Sequence, residues 1–131
     1  MSRSDYCEDS SNWEYICCRG AVNSAIKGKR GQAFFKELLS ALDAMVEKEL
    51  IAEELESHGR FCALGVLGNA RKIDMSKIDP NDSRQVSNEF DIADALAREV
   101  VFENDEACFR SETPSNRWVR MRRWVESQVI A

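Results

Sequence analysis

Apolar residues recur along residues 31–45 at Phe34, Phe35, Leu38, Leu39, Leu42 and Met45, opposite a polar series of Lys36, Glu37, Ser40 and Asp43. This spacing is one broad face of an amphipathic helix. It is the largest concentration of apolar surface in the chain. At roughly 1.5–3 kcal/mol for each large side chain fully buried, other helices are expected to assemble on it. Upstream, Asn12 can cap a helix over residues 13–27, in which Trp13, Ile16, Cys17, Gly20, Ala21 and Ser24 recur at helical spacing. Gly20, Ala21, Ser24 and Ala25 form a small-residue surface suited to a closely packed neighbour, and Gly28 ends the helix.

Downstream the pattern is more broken. Residues 50–55 fit a short helix or an extended piece, and His58-Gly59 marks a break. Residues 60–71 are apolar and rich in Gly and Ala, which suits a buried helix. The GxxG at Gly65 and Gly68 resembles an RNA-binding loop, but its neighbours are apolar and close packing explains it better. A helix ending at Phe90, a turn at Asp91 and a second helix with Ile92, Ala97 and Val100 inward have helix-turn-helix spacing. Thr113-Pro114 is a hydroxyl cap followed by proline at the first helical position, starting a helix to about residue 130. Trp118, Met121, Val125 and Val129, with Trp124 alongside, form its apolar side. The expected fold is all-α: a compact bundle of five or six helices with a helix-turn-helix-like pair, in a single domain over residues 12–131. Residues 1–11 carry no periodic apolar pattern and read as a flexible arm.

At 131 residues, 44% hydrophobic and 31% charged, the chain suits one domain with a sizeable core. Its apolar runs are far shorter than a membrane span and no charged-then-apolar leader opens it, so a cytoplasmic protein without membrane contact is expected. Five cysteines, an odd count without a CxxC pair, read as reduced thiols. His58 and Cys62 have ligand spacing but lack a second pair, so neither metal nor cofactor is expected. A lone histidine and the absence of a phosphate-binding loop leave no catalytic constellation, which argues against an enzyme.

A net charge of −5 disfavours both whole-surface DNA mimicry and simple electrostatic DNA binding. The distribution says more than the sum. Residues 43–56 hold six acids and one lysine, and residues 79–106 hold nine acids and two arginines. Lys27, Lys29 and Arg30 cluster in the turn before the central helix, where backbone amides at a helix start can receive an anion. Arg117, Arg120 and Arg123 lie around the outer side of the last helix, beside Trp124, in a combination typical of interface hot spots. These seven residues are the candidate partner-binding set. Two blander readings stand beside it: a solvated interhelical turn, and tryptophans that belong to the core. In the helix-turn-helix-like pair, the second helix would present Asp94, Glu99 and Glu103, which repel phosphate.

Four stretches, GAVNSAIKGKRGQAFFKELLSALDAM, FCALGVLGNARKIDMS, FDIADALAREVVFENDE and ETPSNRWVRMRRWV, resemble a family of small tailed-phage and prophage proteins without an assigned activity. The resemblance runs from about Trp13 to Val125. It carries no cofactor or functional residue. What it implies is a phage accessory protein that binds a host protein or protein–RNA complex, as an inhibitor of host defence of the anti-CRISPR kind does. The alternative is a nucleic-acid-binding regulator using the helix pair and the basic turn.

Overall fold

The computed structural model describes residues 3, 4, 6, 12–107 and 111–130, with the backbone alone over 12–17. The helices are α1 (Asn12–Lys27), α2 (Lys29–Asp43), α3 (Ala63–Ala70), α4 (Ser83–Phe90), α5 (Asp94–Asp105) and α6 (Pro114–Gln128). A two-stranded hairpin, β1 (Glu56–Ser57) with β2 (Arg60–Phe61), precedes α3, and one 3-10 turn at Met75–Lys77 precedes α4. The all-α expectation holds.

On α2 the periodicity is realised as read. Phe34, Phe35, Leu38 and Leu42 are buried, while Lys36, Glu37, Ser40 and Asp43 are exposed. Helices α1, α3 and α6 assemble on α2 as expected, and α5 is a second packing centre. Every residue of α5 is buried or half-buried, and it is packed by α1, α3, α4 and α6, whereas α2 keeps one face in solvent. The small-residue surface of α1 is also placed differently. Gly20, Ala21 and Ser24 are exposed, and the inward residues are Val22, Ala25 and Ile26. The close approach falls instead at Gly31, where an added Cβ would stand 1.9 Å from the Ala25 carbonyl oxygen.

Residues 60–71 are not one helix. Arg60 and Phe61 pair with Ser57 and Glu56 across a two-residue turn at His58 and Gly59, whose φ values of 52° and 76° are the positive pair that a type I′ hairpin turn needs. Helix α3 starts only after Cys62, whose sulfur accepts from the Gly65 amide at 3.4 Å. This helix is apolar nearly all round and buried through Gly68, as the sequence suggests. Helices α4 and α5 form the expected pair. Asp91 ends α4 in the left-handed region (φ 54°, ψ 51°), and the Ile92 amide donates back to the Ser87 carbonyl at 3.1 Å. Thr113 caps α6 as read, its Oγ1 accepting from the Asn116 amide at 3.1 Å. Helix α6 runs back along α2, with Gln32 bonding the Gln128 carbonyl at one end and Arg122 bonding Asp43 at the other.

Arg3 and Ser4 are buried and Tyr6 is half-buried, all three bonded to α5 or its end. Cys18 and Cys62 are free thiols; Cys7, Cys108 and the side chain of Cys17 lie outside the described residues. Among the described residues no helix is long and apolar enough to cross a membrane.

Candidate functional site

The seven candidate residues divide into two groups. Lys27, Lys29, Arg30 and Arg123 are exposed. Lys27 ends α1, Gly28 is the N-cap of α2 without a side-chain cap bond, and Lys29 and Arg30 fill the first positions of α2. Cations here oppose the positive end of the helix dipole. Arg30 has a partner in Asp91 at 3.5 Å, but both side chains are largely exposed, so the pair adds little to stability. A pocket of about 180 Å³ beneath this turn is lined by Ser24, Gly28, Lys29, Arg30, Ala93 and Leu96.

The outward placement expected of Arg117 and Arg120 does not hold. Arg117 donates from Nε to the Asn104 carbonyl and from Nη1 to the Leu50 carbonyl, both at 3.1 Å. Arg120 donates from Nη1 to the Glu103 carbonyl at 2.6 Å and from Nε to Glu112 at 2.7 Å. Carbonyls at the C-terminal end of α5 have no partner within the helix, so these two guanidiniums act as its cap. Trp124 is half-buried, edge-on to Phe35 with ring centroids 5.5 Å apart. Trp118 is in the core, its indole N–H donating to the Leu42 carbonyl at 3.2 Å. The candidate set is therefore not one surface.

The helix pair cannot be read as a groove-binding motif. The supposed recognition helix is α5, which other helices enclose. Glu99, expected on its outer side, is buried and takes both oxygens to charge-assisted bonds: Arg19 donates at 3.1 and 2.7 Å and the Tyr6 hydroxyl at 2.9 Å. No protein-family model, curated protein or solved structure matches the chain.

What the sequence reading missed is a polar cluster at the C-terminal end of α5. Arg3 forks onto Asp105, with Nε to Oδ2 at 2.6 Å and Nη2 to Oδ1 at 2.8 Å, and its Nη1 lies 3.8 Å from the Cys62 sulfur. Asn104, fully buried, accepts from the Ala63 amide at 3.1 Å and donates to the Ile51 carbonyl at 2.9 Å. Ser4 donates from its hydroxyl to Glu106. A signal existed: Glu99 and Asn104 stand in register with Leu96 and Val100 on the inner side of α5, where a polar residue demands a partner.

Burial pulls against the Arg3 charge, but the Cys62 sulfur and Asp105 outweigh it and hold the guanidinium protonated. Burial likewise works to raise Asp105, yet the bond to Arg3 and its charge keep that carboxyl below the usual range. Glu103 is shifted the other way, raised by burial and by the charge of Glu99, with Arg120 and Arg19 pulling back. Bonds from Arg71 and Arg122 hold Glu37 and Asp43 low. A depressed carboxyl stabilises the fold above its unfolded value of about 4 and loses that contribution as pH falls through the folded value. Glu103 has the opposite sign, contributing fully below about 4 and losing that contribution as pH rises. Glu103 is therefore expected to raise the melting temperature as pH drops toward about 4, and the depressed carboxyls to lower it below about 4. In Glu103→Gln the rise should vanish while the acid limb remains. Thermal unfolding followed by circular dichroism across that range checks both limbs, and a monotonic fall from pH 7 would contradict the Glu103 assignment.

Proposed function

We propose that the protein acts by binding and not by catalysis, docking an acidic face of a protein or protein–RNA complex onto the turn between α1 and α2. One observation carries this reading. Lys27 and Lys29 are exposed and make no ion pair among the described residues, while Arg117 and Arg120 are taken up inside the fold. Cations in the first turn of an uncapped helix work against its dipole, by about 0.3–1 kcal/mol each at low salt. An anionic partner converts that cost into binding. Arg123, exposed on α6, is a further contact for such a partner.

The resemblance to tailed-phage and prophage proteins supports a host partner, and inhibition of a defence complex of the CRISPR-effector kind is the form of binding we favour. The enclosure of α5 weighs against a regulator that reads duplex DNA. In Lys29→Glu/Arg30→Glu the fold should be retained, with a melting temperature equal to or above that of the parent, because the new acids suit the helix start. Capture of the host partner, read by affinity purification and mass spectrometry, should be lost. Gel shifts with random duplex DNA at about 0.15 M salt, where screening acts over roughly 8 Å, should show no complex. A sequence-specific shift at submicromolar protein, abolished by the same double substitution, would overturn this reading in favour of the regulator.

A further inference from the structure

We propose that Asp105, Asn104 and Cys62 form a receptor slot for an arginine side chain, which Arg3 fills in cis and an arginine-bearing basic peptide of a partner fills in trans. The slot concerns anionic groups and stands apart from the cationic turn, so the two readings fail or succeed separately.

Its walls are set without Arg3. Asp105 Oδ1 accepts from the Glu53 amide at 3.1 Å and from Asn104 Nδ2 at 2.8 Å. Asn104 is itself fixed by the Ile51 carbonyl and the Ala63 amide. The carboxylate is thus oriented by α5, the start of α3 and the 51–53 loop, and is already aimed when the guanidinium arrives. The occupant is held as a planar fork, with two bonds to one carboxylate and the third nitrogen on the Cys62 sulfur. Lysine, a point charge with no fork, cannot reproduce this geometry. Arg3 and Asp105 side chains are only 2% and 6% exposed, which makes the pair a desolvated one where geometry decides affinity.

The three described residues of the segment carrying Arg3 each bond a carboxylate: Asp105 for Arg3, Glu106 for Ser4 and Glu99 for Tyr6. Among its described residues the apolar ring contact is Tyr6 on Phe102, at 5.1 Å between centroids. Arg3 and Asp105 themselves border a cavity of about 620 Å³ whose other walls include Glu53, Glu54, Asn81 and Glu106. That acidic space can take the residues flanking an incoming arginine, so a basic peptide fits better than free arginine.

The test uses the full chain carrying Arg3→Ala, which empties the slot, and a labelled peptide of the sequence around Arg3, with arginine or its uncharged isostere citrulline. Fluorescence anisotropy should show the arginine peptide binding about tenfold or more tightly than the citrulline peptide, the scale of a charge-assisted bond. The unsubstituted chain should bind it more weakly than Arg3→Ala, because Arg3 competes. Adding Asp105→Asn to Arg3→Ala should remove the preference. If Arg3→Ala does not fold, Arg3→Lys, which keeps the charge but not the fork, carries the same comparison. Equal binding of the two peptides by a folded variant would overturn the proposal. Loss of the folded state in both variants would overturn it too, since an exchangeable occupant cannot be indispensable to the fold.

Discussion

Phe35→Ala is expected to lower the stability of the protein by about 3–5 kcal/mol, the usual penalty for truncating a buried aromatic side chain. Phe35 is fully buried in α2, edge-on to Phe34 at 5.3 Å and to Trp124 at 5.5 Å. Removing the ring costs its own transfer free energy and leaves a void at the seam between α2 and α6. It also strips Trp124 of the wall that keeps it half-buried. Denaturant unfolding followed by circular dichroism should therefore show the loss, and native tryptophan emission should shift to the red. Lys36→Ala, one residue along on the exposed face, should stay within about 0.5 kcal/mol of the parent. A loss below about 1 kcal/mol for Phe35→Ala would mean that the seam is misplaced.

The parts of this fold that could be read from the sequence are those in which a local signal and the tertiary structure agree. Phe34, Phe35, Leu38 and Leu42 repeat at helical spacing and are buried together. Thr113 and Pro114 start α6 because a hydroxyl cap and a fixed φ act within one turn. Asp91 was legible as a turn, since a short carboxylate side chain tolerates the left-handed region. The hairpin was not, because four strand residues offer no periodicity to detect. The role of α5 was hidden for a different reason. Its inner side includes Glu99 and Asn104, and what makes them core residues is supplied by Tyr6, Arg19, Ile51 and Ala63, far away along the chain.

The candidate site divides along the same line. Lys27, Lys29 and Arg30 lie in a turn between consecutive helices, where exposure follows from local structure alone. Arg117 and Arg120 flank the apolar stripe of α6, and their long stems allow the guanidinium to point outward or inward. Open carbonyls at Leu50, Glu103 and Asn104, together with the buried carboxylate of Glu112, decide for inward. None of those acceptors is identifiable from the residues around position 117. Arg3 was missed for the same reason, because its Asp105 partner is 102 residues away.

Gly65→Ala should, like Gly31→Ala, be a damaging substitution for a single added methyl group, and its sign is opposite to that at another helical glycine. In α3 an added Cβ at Gly65 would stand 1.9 Å from the Leu55 carbonyl oxygen and 3.1 Å from the Phe61 Cβ. Leu55 O also accepts from the Cys62 amide at 3.3 Å, so the loop cannot retreat without loosening the entry to α3. Alanine recovers roughly 1 kcal/mol of helix propensity. Against that stands overpacking onto backbone, which starts at about 1–3 kcal/mol and rises when no side chain can rotate away. A net loss of at least about 2 kcal/mol is expected. At Gly68 the nearest atom is the Met75 sulfur at 2.7 Å, the end of a flexible side chain, so the cost there should be smaller. Gly20, in the middle of α1, has nothing within 4 Å of its would-be Cβ among the described residues, and alanine there should stabilise the protein by up to about 1 kcal/mol. Denaturant midpoints for the three variants should therefore order as Gly20→Ala above the parent, Gly68→Ala below it, and Gly65→Ala lowest. If Gly65→Ala proves as stable as Gly20→Ala, the close packing of α3 on the Leu55 segment is wrong.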